Sequence, residues 1–195
     1  MARTHLLLSF LNMHDGDTDQ LDTDLGPLTV APARGGELAV VLGIVDEAAA
    51  WLTARGIRQW ASPQPPHERD KVRREIARGQ VYLARTAADG RAVGTLRFEW
   101  DEPDLWPDDP AGGGYVHTLA TRPEARGLGV GARLLDWAGE HIRAHGRDRV
   151  RLDCWAENPP LCRYYERLGF RRRGLFTRGA WVGALYEKHL PASGG

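Results

Sequence analysis

Cysteine is scarce in this chain: Cys154 and Cys162 are the only two in 195 residues. Two thiols cannot frame a disulfide-stapled fold of that length, so a reduced, cytoplasmic setting is expected. Net charge is missing as well. The 26 basic residues balance 26 acidic ones. No global field therefore draws in nucleic acid or an anionic membrane, and neither is expected as a partner. Lysine is nearly absent, with Lys71 and Lys188 alone among those cations. That skew, with abundant Ala, Gly and Arg, matches a GC-rich bacterial genome and carries no chemistry. Long apolar runs are lacking too. Leu6 to Leu11 is too short to span a bilayer and has neither the h-region nor the cleavage site of a signal peptide. No internal repeat is found.

What is present suits one domain with a real core. The first 26 residues are acidic and low in complexity from Asp15 to Asp24. Their alternating aspartates lack the glutamate and flanking helices of a calcium loop. Residues 1–26 are accordingly expected to form a flexible extension, 27–190 the domain and 191–195 a tail. Strands are expected at Leu28–Ala31, Val81–Thr86, Arg91–Trp100, Tyr115–Thr121, Val150–Cys154, Phe170–Phe176 and Ala180–Lys188. Asp89-Gly90 marks a hairpin between the second and third of these. Apolar positions Val41, Ile44, Val45, Ala48 and Leu52 recur at helical spacing, and Gly56 stops that helix. Further helices are expected over His67–Gly79, Gly129–His145 and the short segment opened by Asn158-Pro159. Asp101–Gly114 reads as a long loop. The alternation predicts an α/β (α+β) domain with a mixed sheet of about seven strands and about four helices.

One junction carries chemistry. A strand ends at Thr121, and Arg126-Gly127-Leu128-Gly129-Val130-Gly131 leads into an amphipathic helix. Glycines let backbone N–H groups converge, and the first helical turn adds unpaired donors and the positive end of the macrodipole. Such a turn is an anion site suited to a diphosphate, though alone it serves equally well as a tight packing turn. No Gly-Lys-Ser/Thr follows, which excludes a P-loop.

Here the chain resembles the GNAT superfamily of acetyl-CoA-dependent N-acetyltransferases, whose fingerprint is Gln/Arg-x-x-Gly-x-Gly/Ala at a helix start. A second family motif, Asn then Tyr seven residues on, then Gly-Phe, is matched by Asn158, Tyr165 and Gly169-Phe170. The resemblance runs from about Leu28 to the C-terminus. It implies a GNAT-like domain with acetyl-CoA as co-substrate. Leu119, Ala120 and Thr121 would lie beside the pantetheine; the family more often has valine where Thr121 stands. The amides of Arg126, Gly127, Leu128, Gly129, Val130, Gly131 and Ala132 would hold the diphosphate. Asn158 would touch the pantetheine, and Tyr165 would protonate the departing thiolate. The expected acceptor is a primary amine of a small molecule, attacking the thioester directly in a ternary complex. The alternatives are a protein or peptide acceptor, or a non-catalytic acyl-CoA sensor.

The reaction needs a base for the ammonium, a donor for the oxyanion and an acid for the thiolate. His117 is the candidate base: alternation places it on one strand face with Leu119 and Thr121, and imidazole titrates near neutral pH. It could instead be a hydrogen-bonded core histidine shaping the pocket. Glu99 and Asp101 are the other base candidates. Trp51, Trp60, Glu99, Trp106 and His117 are the candidate acceptor residues, since aromatics and carboxylates suit a cationic amine. The Trp106 loop could close over the site. The cysteines read as small apolar filler. No His/Cys cluster has metal-ligand spacing, so no metal is expected. If the chain assembles, a homodimer is the expected form.

Overall fold

Eight strands and four α-helices are formed by the described residues. The computed structural model describes residues 19–57, 59–60, 65–109 and 112–191. The Leu6–Leu11 run, the expected extension as far as residue 18, residues 61–64 and the expected tail from 192 lie outside the described residues. In chain order the elements are β1 (Asp19–Thr23), β2 (Gly26–Pro32), α1 (Leu38–Thr53), α2 (Pro66–Ala77), β3 (Val81–Thr86), β4 (Ala92–Glu99), β5 (Gly114–Thr121), α3 (Val130–Ala144), β6 (Arg149–Trp155), α4 (Pro159–Arg167), β7 (Arg171–Arg178) and β8 (Trp181–His189). They form one sheet in the order β1-β2-β3-β4-β5-β6-β8-β7. Every neighbouring pair is antiparallel except β5 and β6.

One expectation needs correcting. Residues 19–26 are not a free extension. β1 pairs with β2 from Asp19↔Val30 to Thr23↔Gly26. Leu21 is buried in the core. The Trp137 indole N–H donates to the Asp19 carboxylate, and Arg133 Nε donates to the Asp22 carbonyl at 3.1 Å. The domain therefore includes this edge strand, the eighth where seven were expected.

The sheet buries apolar side chains on both faces. Val30, Phe98, Val116, Leu134, Ile142 and Leu152 belong to the cluster around α3. Val41, Ile44, Val45, Ile76, Leu83 and Ala120 form the cluster under α1 and α2. Strict alternation within β5 would leave His117 on one face with Leu119 and Thr121, as the sequence suggested. The structure overturns this. The register slips between Thr95↔Ala120 and Arg97↔His117, and Thr118 takes a left-handed φ of 51°. That inserted residue reverses the phase, as a β-bulge does. His117 thus shares the α1/α2 face with Ala120, while Leu119 packs with the α3 cluster.

Candidate active site

β5 and β6 pair only at Gly114↔Val150 and Tyr115↔Arg151. Beyond that point they splay, and a cleft of about 320 Å³ opens between them. Leu119, Ala120 and Thr121 line it from β5, Asp153 from β6 and Tyr165 from α4. With no partner strand on that side, the outer backbone edge of β5 is open to the cleft.

At one end lies the glycine loop. Gly127 and Gly129 take φ of 76° and 75°, a conformation that L side chains adopt at a cost. α3 starts from Gly129 with no side-chain cap, which leaves its first-turn N–H donors for a ligand. Arg126 lines the cleft, and both terminal nitrogens of its guanidinium are buried without a hydrogen-bond partner. Burial and the neighbouring Arg55 press its pKa below the ordinary arginine value. A diphosphate would satisfy these donors, so the residues present fit the phosphates of coenzyme A. A Cβ on Gly131 would meet the Tyr164 hydroxyl oxygen at 3.0 Å, so the absent side chain lets α4 approach the loop. Val130 contributes its backbone there, because its side chain is buried in the core.

Tyr165 is almost fully buried among Tyr164, Phe170 and Tyr186, with ring centroids 5.6–5.8 Å away. Burial drives its phenol pKa well above the usual value, so it stays protonated. Asn158 caps α4: its Oδ1 accepts from the Leu161 N–H at 3.3 Å. It does not line the cleft.

His117 also lines the cleft. Its Nε2 lies 3.2 Å from Glu102 Oε2 and its Nδ1 lies 3.7 Å from Asp153 Oδ1. His117 holds the Glu102 carboxyl below the usual carboxylate range. Burial pushes those of Asp153 and Glu99 above it. Glu99 pairs with Arg97 at 2.8 Å, and Arg97 also bonds Glu75. Asp101 is drawn off to Arg147 at 3.6 Å. Glu99, Glu102 and His117 bring ligand-type atoms within 4.8 Å of one another. The sequence showed no such cluster; chain folding makes this one, since Glu102 comes from the loop.

The aromatic residues divide. Trp60 lines the cleft. Trp51 lines it too, but its indole is held between guanidinium groups, Arg55 at 3.9 Å and Arg126 at 4.2 Å. That places it at the glycine-loop end of the cleft, beside Arg126. Trp106 does not line the cleft. Arg151 stacks on it at 4.1 Å, and Tyr115 lies 6.4 Å away. Asp109 bonds Arg151 at 2.7 Å and fixes this stretch of the loop at the paired end of β5 and β6. The loop instead delivers Glu102. Cys154 and Cys162 are buried with Sγ atoms 3.9 Å apart, and burial raises the Cys154 thiol pKa, which suits filler better than a nucleophile.

A second cavity of about 470 Å³ adjoins the first. The two share Gln59, Trp60, Arg97, Thr118 and Asp153. α1 and α2 wall the second on one side, and Phe176, Arg178 and Trp181 of the β7–β8 hairpin wall it on the other. Asp153, Glu102 and Arg178 escaped the sequence reading. Asp153 did leave a trace: Arg149, Arg151 and Asp153 alternate with Val150, Leu152 and Cys154, so a carboxylate sits on the polar phase of a central strand. Glu102, in an irregular loop, left none.

Residues 46–170 match the family described as Acetyltransferase (GNAT) family. The chain is 32% identical over 165 residues to "Uncharacterized N-acetyltransferase YesJ" of Bacillus subtilis (strain 168), covering 83% of this chain and 89% of that protein. Among solved structures, a GNAT-family acetyltransferase from Listeria monocytogenes superposes with a TM-score of 0.74 at 22% identity, over 88% of this chain and all of that one. PaiA N-acetyltransferase from Thermoplasma acidophilum, solved in complex with coenzyme A, gives a TM-score of 0.65 at 18% identity over 83% of this chain and 98% of that one. The chain belongs to the GNAT family and is an acetyltransferase.

Proposed function

We propose that this enzyme transfers the acetyl group of acetyl-CoA to a primary amine of a small molecule, by direct attack in a ternary complex. One observation carries the reading: His117 and Tyr165, from separate elements, line a single cleft that ends at the glycine loop. The loop and Arg126 hold the diphosphate. The pantetheine lies along β5 beside Leu119, Ala120 and Thr121, and the thioester reaches the splayed strands. The acceptor enters through the second cavity and meets the thioester where Asp153 borders both spaces.

The acceptor ammonium gives its proton to His117, whose ring is held between Glu102 and Asp153. The neutral nitrogen forms its bond to the carbonyl carbon, and the open edge of β5 offers an N–H to the oxyanion. The C–S bond then breaks, Tyr165 gives its proton to the thiolate, and the excess proton left on the new amide nitrogen restores the Tyr165 phenol, so that His117 alone ends the turnover with a proton to release. No metal is invoked. The Glu99–Glu102–His117 group acts as a hydrogen-bonding and ion-pairing set around the base. The reading places the enzyme in the cytoplasm, where its two free thiols remain reduced.

Thiol release from acetyl-CoA over a panel of small amines and peptides tests this. Tyr165→Phe should lower kcat about 10²-fold or more while the KM for acetyl-CoA stays within about twofold. Unchanged kcat removes Tyr165 from the chemistry. Turnover with peptides and none with small amines overturns the acceptor class.

A further inference from the structure

The second cavity is lined by carboxylates, basic groups and apolar side chains together, and it carries both Asp153 and Arg178. At the end shared with the cleft stand Asp153, His117 and, beyond the histidine, Glu102. Arg97, also at that end, is engaged by Glu75 and Glu99. Carboxylates are therefore in excess where the acceptor nitrogen must meet the thioester, which suits an ammonium. The remaining basic side chains that line the cavity are His67, Lys71 and Arg178. His67 lies 3.7 Å from Glu68, and Lys71 lies 3.9 Å from Glu75. Arg178 forms no ion pair with a described residue, and its guanidinium rests 5.6 Å from the Phe176 ring centroid. Its charge acts on both Glu102 and Asp153, so it lies within electrostatic reach of those carboxylates. Much of the remaining wall is apolar, with Val45, Trp60, Val72, Phe176 and Trp181.

We infer that the acceptor is a zwitterion, an amino-acid-like molecule with an apolar body, whose ammonium sits at Asp153 and His117 and whose carboxylate pairs with Arg178. The inference rests on the acceptor site proposed above and names its substrate class. A free guanidinium at the rim of an aromatic-walled cavity is a bidentate receptor for a carboxylate. A simple alkylamine would fill the middle and leave that cation unused. A cavity of this volume holds a molecule of amino-acid size with room for its side chain. Arg178 thereby becomes a specificity residue that binds the acceptor away from the reacting atoms.

The test uses matched sets: L-phenylalanine, L-leucine and 6-aminohexanoate, each against its amide and its decarboxylated amine. Binding is read by quenching of tryptophan fluorescence, since Trp60 and Trp181 line the cavity, and transfer by thiol release from acetyl-CoA. At least one acid should bind about tenfold tighter than its own amide and amine, the discrimination expected of a charge-assisted pair. Arg178→Gln should erase that preference while changing amide and amine binding less than about twofold, and Arg178→Lys should restore part of it. Acids that bind no better than their amides, or an Arg178→Gln variant that weakens all members alike, overturn the inference. Selective binding of acids with no turnover of any amine leaves the zwitterion site standing and removes the transfer reading. Turnover of amines with no preference for acids does the reverse. Neither binding nor turnover by any member removes both.

Discussion

At the scale of single residues, the site is built on a carboxylate that the fold strains to keep. Asp153 sits on a central strand, largely enclosed, with only the His117 ring at 3.7 Å as an ion-pair partner among the described residues. Burial disfavours its charged form and raises its pKa from the usual carboxylate range. A carboxyl whose folded pKa is raised binds its proton more tightly in the native state than in the unfolded one. The contribution it makes is therefore fully present below the unfolded pKa and is lost as pH rises through the folded value. Asp153→Asn removes that loss. Thermal melts should show the variant gaining on the wild type as pH rises above about 4, by about 1 kcal/mol at neutral pH, or roughly 2–4 °C in Tm. Its catalysis should fall at the same time. A Tm difference between the two proteins that is flat from pH 3 to 8 would mean that Asp153 is not held in this state. Tyr165 follows opposite logic: the same burial keeps a proton on a group whose proposed task is to give one away.

Among the elements, the loop before α3 is where sequence and geometry agree most closely. Gly129 both caps the helix and takes a positive φ, and nothing lies within 4 Å of where its Cβ would be. Gly129→Ala therefore costs backbone strain and no clash. The variant should fold with a loss of about 1 kcal/mol and bind acetyl-CoA about tenfold more weakly, read by calorimetry, as the amides swing off the diphosphate. Unaltered affinity would show that the loop amides are not the anchor. This loop was legible because glycine spacing encodes backbone conformation directly. Helices α1 and α3 were legible from apolar periodicity, and α4 from Asn158-Pro159, which the structure confirms as a cap. Four features were not legible, each for a physical reason. β1 carries one buried side chain, Leu21, so it has no apolar rhythm; pairing to β2 and the Asp19–Trp137 bond define it. The bulge at Thr118 leaves no mark in composition, yet it moves His117 to the opposite face from Leu119. Trp106 and Glu102 share one loop, and only the tertiary clamp of Asp109 on Arg151 decides which of them reaches the site. Arg178 was hidden for a similar reason, since an arginine on an edge strand is ordinary until a cavity is seen beneath it.

Across the whole molecule, the two faces of the sheet have separate tasks. The α3 cluster underlies the glycine loop, and the α1/α2 cluster underlies the second cavity. β1 braces the first of these through Trp137 and Arg133 on α3. A chain that starts at Leu25 should still fold, because β2 keeps its β3 pairing. It loses the Leu21 burial and the Asp19 bond, and its Tm should drop by several degrees, from about 2–3 kcal/mol of lost stability. A Tm equal to that of the full chain would return β1 to the status of a dispensable extension. The parallel pair in the centre has a further consequence, and it is mechanical. β1 to β5 form one hydrogen-bonded ribbon and β6 to β8 another, and the ladder joining them stops at Tyr115↔Arg151. Past that rung the two ribbons are held together by side chains and helices, without backbone ladder. That last rung is anchored by Arg151, which donates to Tyr115, Glu187 and Asp109 at 2.6–2.8 Å. Any rotation of one ribbon against the other about that rung would change the gap most at its free end, where the proposed reaction takes place.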